Sequence, residues 1–263
     1  MSRRVGHRQL EQLAGQLSER DRAILQSARS FRLMTVDQIR RVHFAEHASP
    51  ASSARVTRRV LARLTGYGLL ARLDRRIGGI RAGSAGHVYT LAPLGQRLLG
   101  TPTRKRRTEP TFGFVRHTLA TTELAIQIIE ANAQGAIELL DLEPEPEAWR
   151  THRLGLAEVT LKPDLYVRLN AGEYELSWFI EIDCDTESSP TIQRKCHAYV
   201  DYRRTGVEQD TRKVFPRVLW VAPDDKRAAG LERAISSDRQ LPPAMFDVTT
   251  SSSALERLTG VDE

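Results

Sequence analysis

The stretch 178-WFIEIDCDTES-188 constrains this chain more than any other. Trp178, Phe179, Ile180 and Ile182 favour a buried strand, yet the same run carries Glu181 and Asp183 to its end. Side chains alternate along a strand, so the two acids share one face. The preceding segment, 163-PDLYVRL-169, also reads as a strand, joined to 174-YELSWFIEID-183 through the turn-like 170-NAGE-173. If the two pair as an antiparallel hairpin, Asp164 at the start of one lies beside Glu181 and Asp183 at the end of the other. Gathered carboxylates repel, and each loses stability unless it is protonated or bridged by a cation. Mg²⁺, which prefers oxygen ligands, is the expected bridge.

At 263 residues the chain is long enough for two domains. Forty per cent apolar and 27% charged residues describe a folded, water-soluble protein. The basic start MSRRVGHRQLEQL lacks an apolar signal core, and no run approaches the ~20 apolar residues of a membrane span. A cytoplasmic protein without a membrane partner is expected. Cys184 and Cys196 give neither a disulfide framework nor a CxxC pair. His43 and His47 have i,i+4 spacing but no surrounding HExxH, and read as surface histidines at a helix end. No GxGxxG, P-loop or GxSxG motif is present.

The charges are sharply divided. Residues 1–110 hold 22 Lys and Arg against 7 Asp and Glu, a net +15. Residues 111–263 hold 17 against 26, a net −9. One half is suited to a polyanion, and the other to cations.

In the basic half, Ser18-Glu-Arg-Asp21 and Thr35-Val-Asp-Gln38 are capping boxes that open two helices. A Ser-rich break, 48–53, precedes a third helix over 53–68. Val56, Val60, Leu61 and Leu64 cluster on one side of its wheel, and Arg55, Arg58, Arg59 and Arg63 on the other. Four arginines without an acid suit phosphates and guanine edges. Residues 69–91 read as a hairpin with a Gly-rich tip carrying Arg75, Arg76 and Arg81. Helix, helix, basic helix and basic hairpin is the order of a winged helix-turn-helix bound to double-stranded DNA. This domain is expected over 1–100, followed by a basic linker, 101–110.

The acidic half, 111–263, reads as αβββαβ with an αβ extension, an α+β or α/β arrangement. Its helix from Pro190 to Arg204 puts Ile192, Cys196, Tyr199 and Arg203 on one face, with Lys195 and Tyr202 on the flank. Only five lysines occur in the chain, and this one sits on the flank of the packing face, not on the helix's solvated back.

Lys162-Pro163-Asp164 followed by Glu181-x-Asp183 resembles the core of the PD-(D/E)xK, restriction-endonuclease-like nucleases. The resemblance implies that Asp164 and Glu181 hold Mg²⁺, with Glu123 of the first helix as a further acid. Asp183 stands where that pattern has its lysine, and Lys195 of the next helix is the candidate replacement. Asp164, Glu181, Asp183 and Lys195 are thus the candidate catalytic residues. Over about 15–250, the winged helix, PD, EIDCDTES and QRKCHAYVDYRRTG together resemble the replication-relaxation family of plasmid- and mobile-element-associated proteins.

Three functions follow as expectations. The first is a DNA-acting enzyme, a Mg²⁺-dependent nickase or endonuclease. The second is a non-catalytic DNA-binding regulator of plasmid replication or transfer that keeps a degenerate nuclease-like fold. The third is an adaptor whose acidic loop 143-EPEPE-147 docks a replication or conjugation protein. A second copy of the chain, in a homodimer, is a further candidate partner. The bland alternatives are a strand-start role for Asp164, solvated or arginine-paired strand-end acids, and a snorkelling Lys195.

Overall fold

The computed structural model describes residues 6–46, 49–73, 87–100 and 110–260. They form a mixed α+β protein that separates into two compact units, Met1–Thr122 and Glu123–Glu263. The residues 74–86, with Arg75, Arg76 and Arg81, lie outside the described residues, as do His47 and 101–109 of the expected linker.

The first unit runs α1 (His7–Gly15), α2 (Glu19–Ser30), β1 (Met34–Thr35), α3 (Val36–His43), α4 (Pro50–Gly66), β2 (Leu70–Arg72), β3 (Val88–Leu91) and α5 (Pro93–Leu98). Both capping boxes form. Ser18 Oγ accepts from the Asp21 N–H at 3.2 Å, and Asp21 Oδ2 accepts from the Ser18 N–H at 3.0 Å. Thr35 and Gln38 make the same exchange at 3.1 and 2.9 Å. Each box satisfies two N–H groups that a helix start leaves without an intrahelical partner. Ile24, Leu25 and Ala28 of α2, Ile39 of α3 and Leu61 and Leu64 of α4 are buried together with Met34, Leu70 and Val88. The strands pair antiparallel in the order β1-β3-β2, which places the last strand between the other two.

The helix α4 begins earlier than the expected residue 53. Ser49 caps it and Pro50 occupies its first turn, where a missing N–H costs nothing. Its buried stripe is Ser53, Thr57, Leu61 and Leu64, while Val56 and Val60 are only half-buried. The hydroxyls explain the shift: Ser53 Oγ donates to the Phe44 carbonyl at 3.0 Å and Thr57 Oγ1 to the Ser53 carbonyl at 2.8 Å. Small residues with satisfied hydroxyls let α3 and α4 approach closely, and simple hydropathy does not register them as core. The helix ends in a Schellman motif, with Leu69 N–H on the Leu64 carbonyl (3.0 Å) and Gly68 N–H on the Thr65 carbonyl (2.9 Å). Gly68 supplies the required positive φ, +73°.

Between the units the division falls inside α6 (Phe112–Ala133). Its first half belongs to the first unit because Val115 and Leu119 pack with Leu33, Leu73 and Val88. Gln38 Nε2 also donates to the Leu119 carbonyl (3.3 Å) and Thr122 Oγ1 to the Leu33 carbonyl (3.2 Å).

The second unit continues with β4 (Glu138–Pro144), β5 (Arg150–Leu154), β6 (Ala157–Leu161), β7 (Leu165–Ala171), β8 (Tyr174–Ile182), α7 (Ser189–Arg204), α8 (Val207–Arg212), β9 (Arg217–Ala222), α9 (Asp225–Ser236), β10 (Phe246–Thr250) and α10 (Ala254–Thr259). Its main sheet has the order β10-β9-β8-β7-β4, so β8 is central. β4, β7 and β8 run antiparallel, and β8, β9 and β10 run parallel through helical crossovers. Phe179, Val218 and Trp220 face a core shared with Ile192, Cys196 and Tyr199 of α7 and Leu231 and Ile235 of α9. On α7 the buried face runs through Val200 and Tyr202, and Arg203 is exposed rather than part of it.

The β5–β6 hairpin, α8 and α10 are absent from the sequence reading. α8 is held by ion pairs instead of a hydrophobic stripe. Its buried Glu208 accepts from Tyr202 Oη at 2.6 Å and from Arg150 Nε at 3.2 Å. Arg212 reaches Glu143 at 2.6 Å and Asp141 at 3.1 Å, and Arg150 reaches Glu143 at 2.8 Å. Glu143, expected to open an acidic loop, is instead a residue of β4 and is spent on fold-stabilising pairs.

A titration test follows from His43, whose Nε2 lies 2.9 Å from Ser27 Oγ. Burial, aided by the Arg20 charge, lowers its pKa from 6.5 to about 4. The unfolded chain therefore takes up a proton first, and this contribution to stability, complete above 6.5, is lost as pH falls from 6.5 to about 4. Urea unfolding of wild type and His43→Gln across that window is expected to give a smaller acid loss in the variant.

Candidate functional site

The β7–β8 hairpin turns through two residues, Gly172 and Glu173, with Ala171 opposite Tyr174. Counting back along the ladder, Leu165 pairs with Ile180, so Asp164, just ahead of β7, stands next to Glu181, which still pairs with Trp220 of β9. Asp164 Oδ2 accepts from the Ile182 backbone N–H at 2.8 Å, which fixes the carboxylate across the strand pair. The bland role anticipated for Asp164, ordering a strand start, is thus one it performs.

Glu181 is 3% exposed. Tyr199 Oη donates to its Oε1 at 2.6 Å and Lys195 Nζ to its Oε2 at 2.9 Å, both from α7. Burial, then the neighbouring Asp164 charge, raises its pKa to about 7 against the pull of Lys195 and Tyr199. The Tyr199 hydroxyl is pushed well above 10 by its own burial and by Glu181. Lys195 is raised through its pairing with Glu181 and Glu187, which outweighs its desolvation. Its ammonium also reaches Glu187 Oε1 at 2.7 Å and lies 5.5 Å from the Trp220 ring centroid. The expected lysine is therefore at the carboxylates, on the flank of α7.

Asp183 behaves differently. Its side chain is fully buried and held by Arg227 of α9, with Nε on Oδ2 at 2.6 Å and Nη2 on Oδ1 at 3.0 Å. Its Oδ2 also accepts from the Asp185 N–H at 2.9 Å. Glu181 and Asp183 do share a face, but each meets a different helix and a different cation. Among the described residues, no three His, Cys, Asp or Glu side chains come together as a metal-binding group. The expected gathering of three carboxylates is corrected accordingly: Asp164 and Glu181 are neighbours, and Arg227 neutralises Asp183 instead of a shared cation doing so. Glu123 is half-buried on α6 and does not complete such a group.

The donor set at Asp164 and Glu181 nevertheless suits a hard cation. Mg²⁺ is commonly held by one or two carboxylates together with water and substrate phosphate. Asp164 and Glu181 are adjacent acids, and Glu181 is raised first by its burial and then by the Asp164 charge, both of which a bound cation would offset.

In the first unit, Arg55, Arg58 and Arg59 are exposed along α4. Arg63 is also on the surface side, but its Nη2 sits 2.6 and 2.8 Å from the two oxygens of Asp21, which is 1% exposed. It is a tie between α4 and α2, a role that a wheel of α4 alone does not reveal. Arg227, Tyr199 and Glu187 were likewise missed; Tyr199 reads as ordinary core, and Arg227 as a solvated residue of a helix's first turn.

The family model described as replication-relaxation matches residues 25–218. No curated protein and no solved structure matches the chain. Among the described residues no helix is long and apolar enough to cross a membrane.

The site yields a pH test. Because the folded pKa of Glu181 lies above its unfolded value, its ionisation opposes folding as pH rises from 4.5 to about 7. In EDTA, Glu181→Gln is expected to lose less stability than wild type over that interval, as read by melting temperature.

Proposed function

The chain belongs to the replication-relaxation family, and from that premise we propose that it is a DNA-binding protein of plasmid or mobile-element replication that nicks or cuts DNA with Mg²⁺. The observation that carries the catalytic part is the meeting of Asp164, Glu181 and Lys195 at one end of the central strand pair. The arrangement resembles the PD-(D/E)xK constellation with its lysine carried on the following helix. With the β5–β6 hairpin and α8 set aside as insertions, the order α6, β4, β7, β8, α7, β9, with β8 antiparallel to β7 and parallel to β9, supports the same reading.

In this reading Asp164 and Glu181 hold Mg²⁺. When bound, the ion supplies charge neutralisation at a phosphate and a more acidic water. Tyr199 fixes the Glu181 carboxylate by hydrogen-bonding one oxygen, and the backbone N–H of Ile182 does the same for Asp164. Lys195, half-exposed beside Glu181, orients a water or offsets the charge that develops on a phosphate as its P–O bond breaks. The first unit supplies DNA affinity. From α2 to β3 it runs helix, strand, two helices and two strands, with the last strand central, which supports a winged-helix reading, and Arg55, Arg58 and Arg59 line the exposed side of α4, the third helix of that run.

A second reading has its own support. Asp183 fills the motif's lysine position and is neutralised by Arg227, as a scaffold that has abandoned catalysis would be. That protein would bind DNA without metal and keep its binding after Glu181→Ala.

Supercoiled plasmid with Mg²⁺ separates the two. Wild type is expected to yield open-circular or linear DNA, with Asp164→Ala and Lys195→Met slower by about 100-fold or more. Wild type that leaves the plasmid intact with Mg²⁺ and Mn²⁺ would remove the nuclease and retain the regulator. For DNA binding, replacing Arg55 and Arg59 by Ala is expected to weaken duplex affinity. It should also flatten the log–log salt slope by about 1 for each phosphate the variant no longer neutralises.

A further inference from the structure

The structure ties the loop between β8 and α7 at both ends of one residue, Glu187. Arg227 grips this loop at both oxygens of Asp183, at Asp185 Oδ1 (3.3 Å) and at the Glu187 carbonyl (2.7 Å). From the other side, the Glu187 carboxylate meets Lys195 at 2.7 Å. Asp185 takes a left-handed backbone, φ +58°, which bends the loop so that Asp183 and Asp185 reach the same guanidinium.

We propose that Arg227 is a positioning residue for Lys195, acting through the 183–188 loop and Glu187. A lysine has a flexible stem, and one partner leaves its ammonium free to swing. Here Glu181 holds it from the sheet and Glu187 from the loop, 2.9 and 2.7 Å away. Glu187 can do so only while its backbone is held, and the planar fork of Arg227 is the group that holds it. The fork is suited to the task, because it spans two carboxylate oxygens and a carbonyl that a lysine's point charge cannot serve together. Asp183 thus has a different task from its neighbour Glu181: it is the anchor on which Arg227 is seated. This gives the acid at the lysine position a use in a working site, and it rests on the nuclease reading only for the task assigned to Lys195.

The test reads Lys195 directly, on the full chain without DNA or metal. An ammonium held by two carboxylates exchanges its protons with water slowly enough for its ¹⁵N–H signal to be followed by NMR. In Arg227→Gln and in Glu187→Gln the Lys195 ammonium is expected to exchange at least about tenfold faster than in wild type, the loss of roughly one charge-assisted hydrogen bond. Arg227→Lys, which keeps the charge but not the fork, is expected to fall between, and it decides the matter alone if Arg227→Gln does not fold. Wild-type exchange at Lys195 in either folded Arg227 variant would overturn the proposal. A plasmid left intact by the wild type would instead remove the nuclease while leaving this clamp standing.

Discussion

The second unit is organised around the cost of ending a buried strand in acid. β8 is the centre of a five-stranded sheet, and its apolar residues hold it there. Glu181 and Asp183 consequently enter a region with little water, where an unpaired carboxylate costs several kcal/mol. The surrounding elements answer that cost locally: α7 brings Lys195 and Tyr199 to Glu181, and α9 brings Arg227 to Asp183. The placement of both helices against one face of the sheet serves the hydrophobic core and the charges together.

The compensation is uneven. Asp183 receives a bidentate guanidinium and a backbone N–H, a closed arrangement. Glu181 shares its lysine with Glu187 and has Asp164 beside it; its burial, then the Asp164 charge, raises its pKa in spite of Lys195. A site that must gain a cation or meet a phosphate needs such a remaining imbalance; a purely structural ion pair does not. This difference between two acids two residues apart is what distinguishes a candidate reaction centre from a strut.

Much of the framework was legible in the sequence because it depends on local rules. Capping boxes at Ser18 and Thr35, the turn before Tyr174 and the apolar run to Ile182 each announce an element without reference to the rest of the chain. The meeting of Asp164 with Glu181 also follows from counting along a hairpin. What escaped was set by long-range partners. Arg63 reads as a surface base until Asp21, forty-two residues away, is placed under it. Arg227 is forty-four residues from Asp183, in a helix whose rotation no local pattern fixes. The β5–β6 hairpin escaped for another reason: 150-RTHRLGLAEVTL-161 buries little beyond His152 and Leu161, and its first strand, RTHRL, is almost wholly polar, so no apolar face marks the pair.

The turn at Gly172 and Glu173 has a consequence reaching well beyond its own size. Gly172 adopts φ +61°, which lets two residues reverse the chain and sets every rung between β7 and β8. One residue more or less in that reversal would offset the rungs, and Asp164 would no longer face Glu181. If β8 itself slid by one step, Glu181 would move to the opposite side of the sheet, away from both Lys195 and Tyr199. The chemistry at the strand ends is in this sense a matter of arithmetic, fixed about 25–30 Å away along the ladder by a glycine that touches none of it.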